Sequence, residues 1–217
     1  MNRKEKEKIR FEELKKLDDM YSVDGKKCIA GVDEVGRGPL AGPVCAAAVV
    51  LPYDFFLLGI DDSKKVSEKK RELLAPEIKR KAVAYGISRV DPEIIDDINI
   101  LEATKIAMKD AIKILEEGLK KKDLSPDLIL LDAVTLEGLS FPQESLVKGD
   151  SRSLSIAAAS VLAKAERDEL MKEYAQIYPG YGFERNKGYG TKEHRDAIRE
   201  KGLTPIHRIS FTKSFIL

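Results

Sequence analysis

Tryptophan is absent from this 217-residue chain, and cysteine and histidine occur only twice each. Cys28 and Cys45 sit in separate apolar runs and not in a C-x-x-C pair, a pattern that suggests neither a disulfide framework nor a thiolate metal knuckle and predicts buried thiols. His194 and His207 are not spaced as a ligand pair and both cysteines lie in strand-like runs, which argues against a zinc site too. No apolar stretch approaches the roughly 20 residues that span a bilayer. The opening MNRKEKEKIRFEELKK carries no apolar segment of the secretory kind, so a cytoplasmic location without membrane contact is expected. Charge of one sign is lacking as well: 38 Lys and Arg against 37 Asp and Glu leave a net charge of +1. Any nucleic-acid binding must then rest on local patches.

With 43% apolar and 35% charged residues, the chain suits one globular domain with a small appendage. Residues 3 to 20 are dense in Lys and Glu, with Ile9, Leu14 and Leu17 at helical spacing, and read as a solvated helix ahead of the core. The division expected is a helical extension over 1–24 and one main domain over 25–217. Cys28 to Val32 and Val44 to Leu51 are apolar runs that read as buried strands joined through GRGPLAGP. A helix runs to about Lys81, Ala82 to Val90 reads as a strand, and residues 92 to 120 form a long helical pattern interrupted near Asn99. Leu128 to Leu131 is a fourth strand, followed by a short extended piece at Leu146-Val147. A helix from about Ser155 to Tyr174 and a tail of Gly-Tyr turns with one further helix complete the chain. The order of elements implies an α/β fold, a mixed sheet flanked by helices.

Two carboxylates, Asp33 and Glu34, end the first strand ahead of the glycine-rich Gly36-Arg37-Gly38 bend. Acidic residues in apolar surroundings are rare unless paired or bound to a cation. Asp132 likewise ends an apolar strand. Asp168 shares a helix face with Val161, Lys164 and Ala165, and two readings of it stand: a fourth acid of a cluster, or the last member of a packing face reaching solvent. Together Asp33, Glu34, Asp132 and Asp168 would suit hard cations, Mg²⁺ or Mn²⁺. Two such cations suit phosphodiester hydrolysis, one activating water and the other stabilising the leaving oxygen. Neighbouring strand residues point to opposite faces, so Asp33 and Glu34 share a site only if the backbone bends there, as Gly36 and Gly38 allow. Arg37, Lys64, Lys65, Lys148 and Arg152 are candidate phosphate contacts.

The string GVDEVGRGPLAGPV resembles the first motif of ribonuclease HII. Asp62-Ser63-Lys64-Lys65, Asn99-Ile100-Leu101, VKGDSRSLSIAAASVLAKAERD, Lys187-Gly188-Tyr189-Gly190-Thr191, and His207-Arg208 with Ser210-Phe211 are similar to further segments of that family, in its order. Asn186, Gly190 and Ala133 differ from the residues frequent in the family at those positions. The resemblance implies a ribonuclease H-like fold with Asp33, Glu34, Asp132 and Asp168 as metal-binding catalytic carboxylates. It implies that Gly36, Arg37 and Gly38 grip the backbone at a ribonucleotide and sense its 2′-hydroxyl, and that Tyr189 stacks on the adjoining deoxyribose. The implied substrate is an RNA/DNA hybrid or ribonucleotide-containing DNA, cut 5′ to the ribonucleotide by a monomer. Ribonuclease HIII, with its larger N-terminal domain, and a non-catalytic binding module are the competing readings.

Overall fold

The computed structural model describes residues 1–23 and 28–216. A helix α1 (Arg3–Val23) precedes β1 (Ile29–Val35) and β2 (Val44–Val50); α2 (Glu68–Lys81), β3 (Ala84–Val90), α3 (Pro92–Ile98) and α4 (Ile100–Lys120) follow. Then come β4 (Leu128–Asp132), β5 (Gln143–Leu146), a 3-10 turn (Gly149–Ser151), α5 (Leu154–Ile177), α6 (Phe183–Asn186), α7 (Lys192–Lys201) and α8 (Ile209–Ile216). The strands form one mixed sheet in the order β3-β2-β1-β4-β5. β1 runs antiparallel to β2 and parallel to β4, and β5 is parallel to β4.

The alternation of strand side chains explains why β2 is apolar at every position. Val44, Ala46, Ala48 and Val50 face the α4 layer with Ala107, Met108, Ala111 and Leu115, while Ala47 and Val49 face the α1, α2 and α5 layer with Phe11, Leu74, Ala158 and Leu162. Asn99 breaks the long helical pattern as its sequence suggests: at φ 73° it ends α3, and its side chain accepts from the Leu101 and Glu102 N–H groups to start α4. α5 lies on β1 at Gly31, where a Cβ would collide with the backbone of Ser155 and Ile156. That close approach sets the start of α5 beside the end of the central strands. Both thiols are buried, as expected.

Two expectations need correction. α1 is not a solvated appendage, because Phe11 and Leu14 are buried in the α2–α5 layer; their spacing among charged residues hid a narrow apolar stripe. The proposed boundary between residues 24 and 25 lies outside the described residues. Among its described residues the tail carries three helices rather than one, since α6 and α8 are too short to show a clear period. Among the described residues no helix is long and apolar enough to cross a membrane.

Candidate active site

The register of β1 with β4, which pairs Val32 with Leu131, sets the next residues, Asp33 and Asp132, side by side at the carboxyl ends of two parallel strands. Asp132 is fixed there by the Gly149 N–H, which donates to its Oδ1 at 2.7 Å. That bond brings the adjoining Asp150 inward. One carboxylate oxygen from each of Asp33, Asp132 and Asp150 lies within 4.8 Å of the other two. Burial, then the Glu34 and Asp132 charges, raise the Asp33 carboxyl well above its ordinary range; contacts from the Ser160 hydroxyl and the Glu34 N–H offset only part. Burial likewise raises Glu34 against the opposing pull of Arg37, and burial followed by Asp62 and Asp132 raises Asp150.

Glu34 and Asp33 line one cavity of about 250 Å³ with Gly36, Arg37, Gly38, Ser63, Lys64, Asp132, Ser160, Lys164 and Tyr189. The β1–β2 ladder stays regular through Val35, so the backbone bends after the two acids, at Gly36 (φ 92°), and not between them. They share the cavity because it caps the strand ends, where both faces of the sheet are reached. Glu34 Oε1 lies 3.4 Å from Arg37, while its Oε2 is buried with no hydrogen-bond partner among the described residues. A buried carboxylate oxygen left unpaired beside the clustered Asp33, Asp132 and Asp150 gives an oxygen donor set suited to a hard divalent cation, with no imidazole or thiolate in it. Burial works against the charge of Lys64, but Asp62, Asp150, Asp33 and Asp132 around it keep it protonated. Tyr189, 44% exposed, has its ring edge 3.8 Å from where a Cβ on Gly38 would stand.

The sequence profile described as Ribonuclease HII matches residues 30–214. The chain belongs to the ribonuclease HII family. It is 54% identical over 208 residues to the ribonuclease HII of Enterococcus faecalis, covering 96% of this chain and 78% of that one. Its fold is that of the ribonuclease H2 of Pyrococcus horikoshii, with a TM-score of 0.68 at 23% identity over 87% of this chain and 96% of the other. Bst-RNase HIII in complex with Mn²⁺ superposes with a TM-score of 0.69 at 20% identity, over 87% of this chain and 68% of that one. As a type 2 ribonuclease H, the chain is an endonuclease acting on the RNA of RNA/DNA hybrids.

Within this ribonuclease HII site, the sequence reading of one carboxylate is corrected by the geometry. Asp168 does not join the clustered acids: its Oδ2 accepts from Arg71 at 2.9 Å and its Oδ1 from Lys164, so both oxygens are occupied by cations. The helical spacing of Lys164 and Asp168 was itself the signature of that ion pair. Asp150, which sequence reasoning passed over, takes the place in the cluster, brought there by a turn whose geometry no local pattern shows. Lys65 also departs from the cavity, lying 3.9 Å from Asp61. Lys148 and Arg152 are exposed on the turn that carries Asp150, outside the cavity lining. Asn186 has a buried side chain that donates to the Tyr181 carbonyl and accepts from the Gly188 N–H, so it braces the turn before Tyr189.

Proposed function

We propose that this ribonuclease HII chain incises DNA duplexes on the 5′ side of embedded ribonucleotides, as well as the RNA strand of continuous hybrids, and so serves ribonucleotide removal from DNA. Asp33, Glu34, Asp132 and Asp150 hold divalent cations, Mg²⁺ or Mn²⁺. Bound there, a pair of such cations supplies Lewis acidity at the scissile phosphate, lowering the pKa of the attacking water and neutralising charge on the leaving oxygen. The water oxygen bonds to phosphorus as the bond to the 3′-oxygen breaks, leaving a 3′-hydroxyl and a 5′-phosphate. Lys64, kept protonated by the surrounding acids, suits a non-bridging phosphate oxygen. Gly36, Arg37 and Gly38 face the same cavity, where small residues let a nucleic-acid backbone come close and the 2′-hydroxyl marks RNA from DNA. Tyr189 stacks on the neighbouring deoxyribose.

The observation that carries this reading is the convergence of Asp33, Glu34 and Asp132 with the Gly36–Gly38 bend and an exposed Tyr189 in one cavity, with an Asp150 oxygen within 4.8 Å of those of Asp33 and Asp132. Mn²⁺ in the complex of Bst-RNase HIII supports the cation class. The test is cleavage of a labelled duplex with one ribonucleotide, beside an all-DNA duplex and a continuous hybrid, with Mg²⁺, Mn²⁺ or EDTA. Cation-dependent incision 5′ to the lone ribonucleotide is expected. Cutting of the continuous hybrid alone, or cutting unaffected by EDTA, would remove the junction or cation part of the reading respectively.

A further inference from the structure

Behind the two loops that face the cavity lies a set of buried polar side chains that the chemistry does not use. Arg208 is fully buried and, among the described residues, has no carboxylate within ion-pair distance. Its guanidinium donates to the Gly36 carbonyl at 2.6 Å, the Arg37 carbonyl at 2.9 Å and the Gly42 carbonyl at 2.8 Å. A fork of N–H groups spent on three carbonyls of one bend turns those carbonyls inward and leaves the far side of the bend to the substrate. Arg167, also fully buried, donates to the Ala41 and Pro43 carbonyls at 3.0 Å and to the Lys187 carbonyl at 2.8 Å, so it touches both loops.

The residue before Arg208 reaches the other loop. His207 Nδ1 accepts from the Thr204 backbone N–H at 2.8 Å, which places the proton of a neutral ring on Nε2, and it also accepts from the Thr204 hydroxyl at 2.8 Å, the bond that a valine at this position would remove. That Nε2 lies 3.0 Å from His194 Nε2, which must therefore accept. The His194 proton is then on Nδ1, 2.9 Å from the Tyr189 carbonyl, which can only accept. Every donor and acceptor in the relay Thr204, His207, His194, Tyr189 is thus assigned, and it requires both imidazoles neutral. Main-chain bonds close the frame: Gly42 N–H to the Ile206 carbonyl, Arg208 N–H to the Leu40 carbonyl, and Leu40 N–H to the Gly188 carbonyl, each at 2.8 Å.

We propose that the segment Thr204–Arg208 is a positioning element that locks the Gly36–Gly38 bend and the Tyr189 turn into one rigid unit, with His207 and Arg208 as its two arms, and that this coupling sets the preference for a ribonucleotide next to a deoxyribonucleotide. The inference rests on the junction reading above. A hybrid made wholly of RNA on one strand needs the bend alone, whereas a single ribonucleotide needs the bend and the tyrosine at a fixed separation. Loosening one loop against the other selectively harms the second substrate, since misplacement of about 1 Å costs on the order of 100-fold in rate.

The experiment compares kcat/KM on a single-ribonucleotide duplex and on a continuous hybrid for the full chain, for His207→Gln, Thr204→Val and Arg208→Lys, and for Tyr189→Ala as reference. Amide hydrogen exchange at residues 36–38 and 188–191 is followed in each, and thermal melting confirms folding; Thr204→Val, at the half-exposed end of the relay, keeps the test open where a buried substitution fails to fold. His207→Gln and Thr204→Val are expected to lower the ratio of the two kcat/KM values about tenfold or more. In the Tyr189→Ala background they lower it no further, and His207→Gln speeds exchange at both loops. Exchange that quickens only around Tyr189 overturns the coupling. If Tyr189→Ala lowers the ratio while His207→Gln and Thr204→Val leave it unchanged, the coupling falls and the junction reading stands. If Tyr189→Ala leaves the ratio unchanged, the junction reading falls and takes the proposed role of the segment with it.

Discussion

At the scale of single residues, the acids divide by what touches them. Asp33 and Asp150 gather beside Asp132 with raised pKa values, whereas Asp168 is neutralised by Arg71 and Lys164. Asp33→Asn and Asp150→Asn are therefore expected to cut cation-dependent cleavage by about 1,000-fold, the upper end of what losing a positioned electrostatic group costs. Asp168→Asn acts through Arg71, which also donates to the Ser63 carbonyl ahead of Lys64, so its expected effect is a partial, roughly tenfold loss together with lower stability. Steady-state cleavage rates and melting of the three variants decide it; full inactivation of Asp168→Asn with an unchanged melting temperature would return that residue to the metal-binding set. Asp33, Glu34 and Asp132 were legible because each interrupts or ends an apolar run. Asp150 was not, because nothing in a Gly-Asp turn reveals that a neighbouring N–H, from Gly149, is bonded to Asp132. Helical periodicity found the face of Asp168 correctly and missed that the face is turned to Arg71 on α2.

At the scale of elements, the helix that sequence left on the surface holds the turn bearing Asp150. Asp18 of α1 accepts from the Ser153 hydroxyl at 2.6 Å and the Ser155 N–H at 2.8 Å, so it caps α5 from outside the helix. Arg10 of α1 donates to the Ser151 carbonyl and to Asp61, both at 2.8 Å, spanning the turn with Asp150 and the loop with Lys64. These tertiary caps carry no local pattern, which explains why the strands and long helices could be read and the role of α1 could not. Asp18→Ala removes a cap worth about 1 kcal/mol, equivalent to roughly 2–4 °C in melting temperature for a chain of this size. Because the freed turn carries a proposed ligand, Asp18→Ala and Arg10→Ala are also expected to raise the Mn²⁺ concentration needed for half-saturation, read by direct titration of the metal without substrate. Weaker folding with unchanged Mn²⁺ affinity would confine α1 to a stabilising role.

At the scale of the whole molecule, near-neutral net charge conceals a local excess of negative charge at the strand ends, and stability must record it. Asp33, Glu34 and Asp150 have folded pKa values above their unfolded ones, so their contribution is fully present below the unfolded values and is lost as pH rises through the folded ones. His207 is the reverse case: burial, then His194, lowers it to about 4, so its contribution is present above the ordinary histidine range and is lost as pH falls toward 4. Glu7 and Glu68, lowered by their lysine partners, also lose their contribution in acid. Without cations the melting temperature is thus expected to peak on the mildly acidic side and to decline toward alkaline pH. A divalent cation at 100 times its dissociation constant adds about 2.7 kcal/mol to the folded state, and it can do so only once the acids are ionised. Mg²⁺ should therefore raise the melting temperature by several degrees at pH 8 and little at pH 5, and Asp33→Asn should raise that of the metal-free protein at pH 8 while removing most of the Mg²⁺ response. An equal rise at both pH values would mean that Mg²⁺ stabilises this fold from somewhere other than the cluster of Asp33, Asp132 and Asp150.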